Sequence, residues 1–113
     1  MSRILLSHGA GGREMLSLIE QVFRRHLGPG DISQDDSAVL NLESTNLAFT
    51  TDAFVVSPLF FPGGDIGRLA VAGTVNDLLT AAAKPVALAA AFILAEGLPL
   101  ASLERIALSM HQS

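Results

Sequence analysis

LAFTTDAFVVSPLFFPGGDIGRLAVAGTVNDLLTAA, residues 47–82, changes its periodicity halfway along. Leu47 to Thr51 reads as a β-strand and Phe54 to Phe61 continues extended, until Pro62-Gly63-Gly64 breaks the run. Asp65 then stands where an N-cap side chain accepts the free amides of a helix predicted from Ile66 to about Ala82. On the N-terminal side, Ala38 to Leu42 reads as a second strand, joined to the first by Glu43-Ser44-Thr45-Asn46 as a hairpin loop. Before it, Met15, Leu18, Ile19, Val22, Phe23 and Leu27 recur at helical spacing, and Gly28-Pro29-Gly30 stops that helix. On the C-terminal side, Val86 to Ala95 alternates larger with smaller apolar residues and is expected to be a strand buried on both faces. After Gly97-Leu98-Pro99, a last helix carries Leu100, Leu103, Ile106, Ala107 and Met110 on one face. No repeat, low-complexity tract or linker divides the chain, so residues 1–113 are expected to be one domain.

Composition narrows the function. Half of the 113 residues are apolar, enough for a core, while seven Lys and Arg against eleven Asp and Glu leave a net charge of −4. That balance speaks against a nucleic-acid surface, which needs cations to neutralise phosphates, but not against a nucleotide carrying its own Mg²⁺. Cysteine is absent, which removes disulfides, thiolate metal sites and cysteine nucleophiles. The longest apolar run, Val86 to Ala95, is about half the ~20 residues a membrane helix needs, and no signal peptide is visible. A soluble cytoplasmic protein, bound to neither membrane nor nucleic acid, is expected.

Three acidic spots stand at the ends or inside of apolar segments: Asp35-Asp36, Asp52 and Asn76-Asp77. No basic residue flanks them closely, and an unpaired buried carboxylate costs several kcal/mol. Mg²⁺, usually held by one or two carboxylates plus waters and phosphates, is the economical partner. Asp52 ends a strand, where a ligand can approach; an Asx-turn closing that strand is the alternative. Asp35-Asp36 can equally be a simple lead into a strand. Asp77 falls mid-helix among Val75, Leu78 and Leu79, where Asp is a poor helix former, and is expected either to meet a ligand or to make a buried structural hydrogen bond. Asn76 returns near the helix face of Asp65, with Ala70 and Gly73 clearing space beside it. The loop Ser7-His8-Gly9-Ala10-Gly11-Gly12 could aim backbone amides at a phosphate, or be a flexible turn. It is neither a Walker A loop nor the dinucleotide fingerprint, because Gly-Lys-Ser/Thr is missing and Glu14 occupies the third glycine's place. His8 in the same loop is read as a structural donor or a catalyst.

Ser7 to Arg13, the unbroken stretch Phe49 to Gly67, Gly73-Thr74-Val75-Asn76-Asp77-Leu78, Lys84-Pro85 and Phe92 to Pro99 closely resemble the HypE family of hydrogenase maturation proteins, in order and over nearly the whole chain. The segment through Pro62-Gly63-Gly64 is specific to that family. The Asp-Asp, Thr-Thr-Asp and Asn-Asp signatures are shared with aminoimidazole ribonucleotide synthetase, selenophosphate synthetase and thiamine-monophosphate kinase, all users of ATP. The resemblance implies an α+β amino-terminal lobe, a mixed β-sheet backed by helices and incomplete at its carboxy terminus, pairing with a second copy as a homodimer with ATP at the junction. It also implies Mg²⁺ on Asp36, Asp52 and Asp77, with Asp35 as a further candidate, and the nucleotide beside Thr51, Asn76 and the glycine loop of Gly9, Gly11 and Gly12. Such proteins spend ATP to dehydrate a carboxamide on the sulfur of a carboxy-terminal cysteine, giving a thiocyanate that supplies cyanide to hydrogenase iron, with HypF and the HypC-HypD complex as partners. This chain has no acceptor cysteine, so it is not expected to complete that reaction alone. A thiamine-monophosphate-kinase-like or selenophosphate-synthetase-like lobe, and a non-catalytic assembly module, are the competing readings. Two positions depart from the family: Ala82 replaces a usual glycine and is expected to tighten local packing, and Ala95 replaces a common glutamate neutrally.

Overall fold

The helices form where periodicity and capping place them. A computed structural model of the protein describes residues 2–28, 37–43 and 45–113. A 3₁₀ turn, Leu6–Gly9, leads into α1 (Arg13–Leu18), which runs on through a π-helical stretch, Ile19–Arg24, into α2 (Arg25–Leu27). The run ends before Gly28, as expected. Helix α3 (Ile66–Thr80) is capped by Asp65, whose Oδ1 accepts the Arg68 N–H at 2.9 Å. The same oxygen accepts the Ser109 hydroxyl at 2.8 Å, so one buried carboxylate both starts α3 and ties it to α4 (Leu100–Gln112).

Helix α3 ends two residues earlier than expected, through a left-handed reversal. The Ala82 N–H donates to the Leu79 carbonyl and the Ala83 N–H to the Leu78 carbonyl, the paired bonds of a Schellman motif. That motif puts Ala82 at φ 54°, a conformation that favours glycine. Ala82 is exposed, so the expected local tightening does not occur; the substitution acts on the backbone instead.

The core lies between the first helical run and α4. Ile4, Leu18, Val22, Leu103 and Ala107 are buried together, with Phe23, Leu27, Phe92, Leu94, Leu98 and Leu100 packed around them. Leu103 and Ala107 share the predicted face of α4, and Phe92 reaches Phe23 with ring centroids 4.5 Å apart. Gly67 brings α3 against α4: a Cβ there would stand 2.6 Å from the Ile106 carbonyl oxygen.

Strand pairing departs from the sequence expectation. Phe60–Phe61 (β1) pairs antiparallel with Gly64–Asp65 (β2), in the register Phe60 with Asp65 and Phe61 with Gly64. Pro62 and Gly63, the latter at φ 93°, make the connecting turn. The break in the sequence is therefore a hairpin. The N-terminal segment also lies antiparallel to the start of α4, with Arg3 bridged to Pro99 and the Ile4 N–H donating to the Leu98 carbonyl at 2.8 Å.

Segments 38–42, 47–51 and 86–95, expected as strands, carry no ladder among the described residues. A ladder needs a second backbone about 4.8 Å away, and none of the described residues supplies one. The expectation that 86–95 is buried on both faces is corrected too: Phe92 and Leu94 turn toward the helices while Ile93 is fully exposed at 101%. The two-residue period is retained, but only one side has helices to pack on. The radius of gyration is 15.2 Å, against about 13 Å for a compact chain of similar length, which fits a body with one face left open.

Candidate functional site

The glycine loop is tied at both ends and open in the middle. The Ser7 hydroxyl donates to Glu14 Oε2 at 2.7 Å, the Ala10 N–H to the Ser7 carbonyl at 3.2 Å, and the Leu16 N–H to the Gly12 carbonyl at 3.1 Å. Between these bonds Gly9, Gly11 and Gly12 are exposed, and a Cβ on any of them would meet nothing within 4 Å. Gly11 stands at φ 78°, so the turn requires glycine there. Among the described residues no atom crowds these Cα positions, leaving the backbones open to close approach by a ligand. Beneath the loop, His8, Gly9, Met15, Ile19, Phe92 and Glu96 help line an open cleft of about 260 Å³.

Asp52 and Asp77 lie on elements that touch. The Phe54 ring packs on Gly73 of α3 so closely that a Cβ at Gly73 would stand 2.8 Å from its Cζ. Asp52 is two residues before Phe54, and Asp77 is one helical turn after Gly73 on the same face of α3. The space that Gly73 clears is thus filled by the segment carrying Thr51 and Asp52. This phenylalanine–glycine contact was not legible in the sequence, where only the small residue was visible.

Burial, however, is not what sets these carboxylates apart. Thr51, Asp52, Asn76 and Asp77 are all exposed, so of the two alternatives for Asp77 the buried structural hydrogen bond is not the one formed. The reason is geometric: α3 packs on α4 through its Gly67 side, and Asp77 is carried on a part of the helix open to solvent. Asp52 Oδ1 accepts the N–H of the adjacent Ala53 at 3.0 Å, a local turn bond that engages one of its two oxygens. At Asp77 the backbone carbonyl accepts the Thr80 hydroxyl. Among the described residues the only ion pair is Arg24 with Glu20, at 3.0 Å, so neither Asp52 nor Asp77 is neutralised by a lysine or arginine. Exposed carboxylates with unused lone pairs and no competing cation are a donor set that suits a hard divalent ion. The described residues alone gather no group of three such ligands. Asp35 and Asp36 lie outside the described residues.

No helix among the described residues is long and apolar enough to cross a membrane.

Comparison with known proteins is consistent throughout. Residues 34–113 match the family described as AIR synthase related protein, N-terminal domain. The chain is 51% identical over 109 residues to the carbamoyl dehydratase HypE of Rhizobium leguminosarum bv. viciae, covering 96% of this chain and 31% of that protein. It is 44% identical to the carbamoyl dehydratase HypE of Escherichia coli (strain K12), covering 100% of this chain and 35% of that one. The crystal structure of the hydrogenase maturation protein HypE in complex with ATP superimposes with a TM-score of 0.91 at 47% identity, over 96% of this chain and 32% of that chain. The chain therefore spans about a third of the length of these relatives. The superposition extends over the segments that lack a ladder here, so the α+β architecture of that lobe is the architecture of this chain.

Proposed function

The chain belongs to the AIR synthase related protein N-terminal domain family, and from that premise we propose that it is the ATP- and magnesium-binding, dimer-forming lobe of a HypE-type carbamoyl dehydratase acting in the cytoplasm. The observation that carries the proposal is the open glycine loop, crowded by no atom of the described residues, in a chain that superimposes with a TM-score of 0.91 on a HypE bound to ATP. Gly9, Gly11 and Gly12 lie over the nucleotide, with Thr51 and Asn76 beside it. Asp52 and Asp77, together with Asp36 and Asp35, hold Mg²⁺. The ion, once bound, neutralises charge on the phosphates. Phe54 seated on Gly73 keeps the segment of Asp52 against the helix of Asp77.

In the parent reaction an amide oxygen must be turned into a leaving group as a phosphate ester, a step in which positioning and charge neutralisation do most of the work. This chain contributes binding and orientation; the accepting thiol is not among its residues, which include no cysteine. HypF and the HypC-HypD complex are the partners proposed for the whole protein.

Exposed apolar side chains support dimerisation. Phe49 is 89% exposed, Val55 99% and Ile93 101%, all on segments whose backbones have no strand partner among the described residues, and a second copy would cover both deficits. Calorimetry with Mg-ATP tests the nucleotide site: Asp52→Asn and Asp77→Asn are expected each to weaken binding, and unchanged affinity in both rejects the metal assignment. Sedimentation tests the dimer, with a monomer at high concentration as the contrary result.

A further inference from the structure

Resting on the reading of the glycine loop as a nucleotide site, we infer that His8 is a positioning residue, which in its neutral form holds that loop in the binding conformation and makes nucleotide affinity depend on pH. His8 is only 4% exposed although it sits in a surface turn. Its Nδ1 accepts the Leu5 N–H at 2.8 Å, closing the start of the 3₁₀ turn Leu6–Gly9 from three residues downstream. The backbone reinforces the same closure, with the His8 N–H donating to the Leu5 carbonyl at 3.0 Å. Because Nδ1 is an acceptor, the proton of the neutral ring resides on Nε2. Gly9 follows immediately, and the turn feeds directly into Gly11 and Gly12.

Protonation reverses the role of Nδ1. An imidazolium donates from both nitrogens, so no rotation of the ring returns an acceptor to the Leu5 N–H, and donor would face donor. Among the described residues, the charged groups bonded around the turn are Arg3 on the N-terminal segment, Glu14 on α1 and Glu96 on the wall of the cleft. Arg3 donates to the Gly97 carbonyl at 2.7 Å, Glu14 accepts the Ser7 hydroxyl, and Glu96 accepts the Leu6 N–H at 3.4 Å. The two carboxylates thus anchor Ser7 and Leu6, the two residues between Leu5 and His8. The glycine loop therefore has a titratable latch.

Asparagine places Oδ1 where the ring places Nδ1, accepts a hydrogen bond at any pH and does not titrate. Mg-ATP binding to the chain is measured by calorimetry at pH 8.0 and pH 5.5, for the native chain, His8→Asn and His8→Ala. The ratio of native to His8→Asn affinity cancels the titration of the nucleotide itself. It is expected to lie near one at pH 8.0 and to fall about fivefold to tenfold at pH 5.5, the effect of losing one hydrogen bond. His8→Ala is expected to bind weakly at both pH values, and rescue by the conservative variant separates a lost acceptor from lost packing. A ratio that does not change with pH overturns the inference. Amide exchange at Leu5, followed by NMR without nucleotide, gives the second readout: it is expected to accelerate on acidification in the native chain and not in His8→Asn. If Leu5 behaves so but no form binds Mg-ATP, the nucleotide reading fails while the latch stands. Exchange at Leu5 that is insensitive to pH removes the latch whatever the affinities.

Discussion

Adding one methyl group at Gly67 and the same group at Gly73 should have unequal effects, although both glycines lie in α3. Gly→Ala within a helix gains about 1 kcal/mol in helix propensity, so any difference reports what the new Cβ meets. At Gly67 it meets the Ile106 carbonyl oxygen at 2.6 Å, Met110 Cγ at 3.0 Å and Ile106 Cγ2 at 3.2 Å. The oxygen belongs to the backbone of α4, whose Leu103, Ile106 and Ala107 are buried, so relief requires the whole helix to move. Overpacking of this kind costs about 1–3 kcal/mol, and a backbone obstacle places Gly67→Ala toward the upper end. The propensity gain offsets part of that, leaving a net loss of about 1–2 kcal/mol. At Gly73 the obstacle is the Phe54 ring, at 2.8 Å and 2.9 Å, the far end of a half-buried side chain on a segment with no ladder. That ring can swing aside, so Gly73→Ala should fall between neutral and about 1 kcal/mol stabilised. Urea unfolding at one fixed protein concentration measures both, and with m of about 1–2 kcal/mol/M the two midpoints should separate by about 1 M. Gly67→Ala unfolding at or above the native midpoint, or Gly73→Ala losing more than Gly67→Ala, would refute the account of how α3 meets α4.

Ala82→Gly should raise stability by about 0.5–1 kcal/mol: it relieves about 1–2 kcal/mol of left-handed strain at φ 54° and gives back part of that as entropy of the unfolded chain. Thermal unfolding checks this, and a lowered midpoint contradicts the assigned conformation. Asp65→Ala should cost about 2 kcal/mol, combining a lost N-cap with a Ser109 hydroxyl left without its acceptor, whereas Asp65→Asn keeps an acceptor and should cost less. A double-mutant cycle with Ser109→Ala should return a coupling of about 1 kcal/mol, and additivity of the two changes would deny the link between the helices.

The helices were legible in the sequence because everything that specifies them lies within a few residues. Leu18 and Val22, or Leu103 and Ala107, are one turn apart, and Asp65 caps α3 from the adjoining position. The chemistry of the loop was partly legible for the same reason: glycines at 9, 11 and 12 announce a backbone that side chains must not crowd. Pairing was not legible. Arg3 meets Pro99 across the length of the chain, and β1 meets β2 at a point where composition signals only a break.

Sequence by itself determined the helical framework, the apolar and acidic segments and the family to which they belong. Only the tertiary structure decided that Asp52 and Asp77 face solvent, that Phe54 occupies the space left by Gly73, that His8 is buried as an acceptor, and that Ala82 carries a left-handed turn. Helical bonds and caps are satisfied within four residues, whereas burial and strand pairing depend on which distant surface arrives opposite. On the open face around Phe49, Val55 and Ile93, no surface of the described residues arrives.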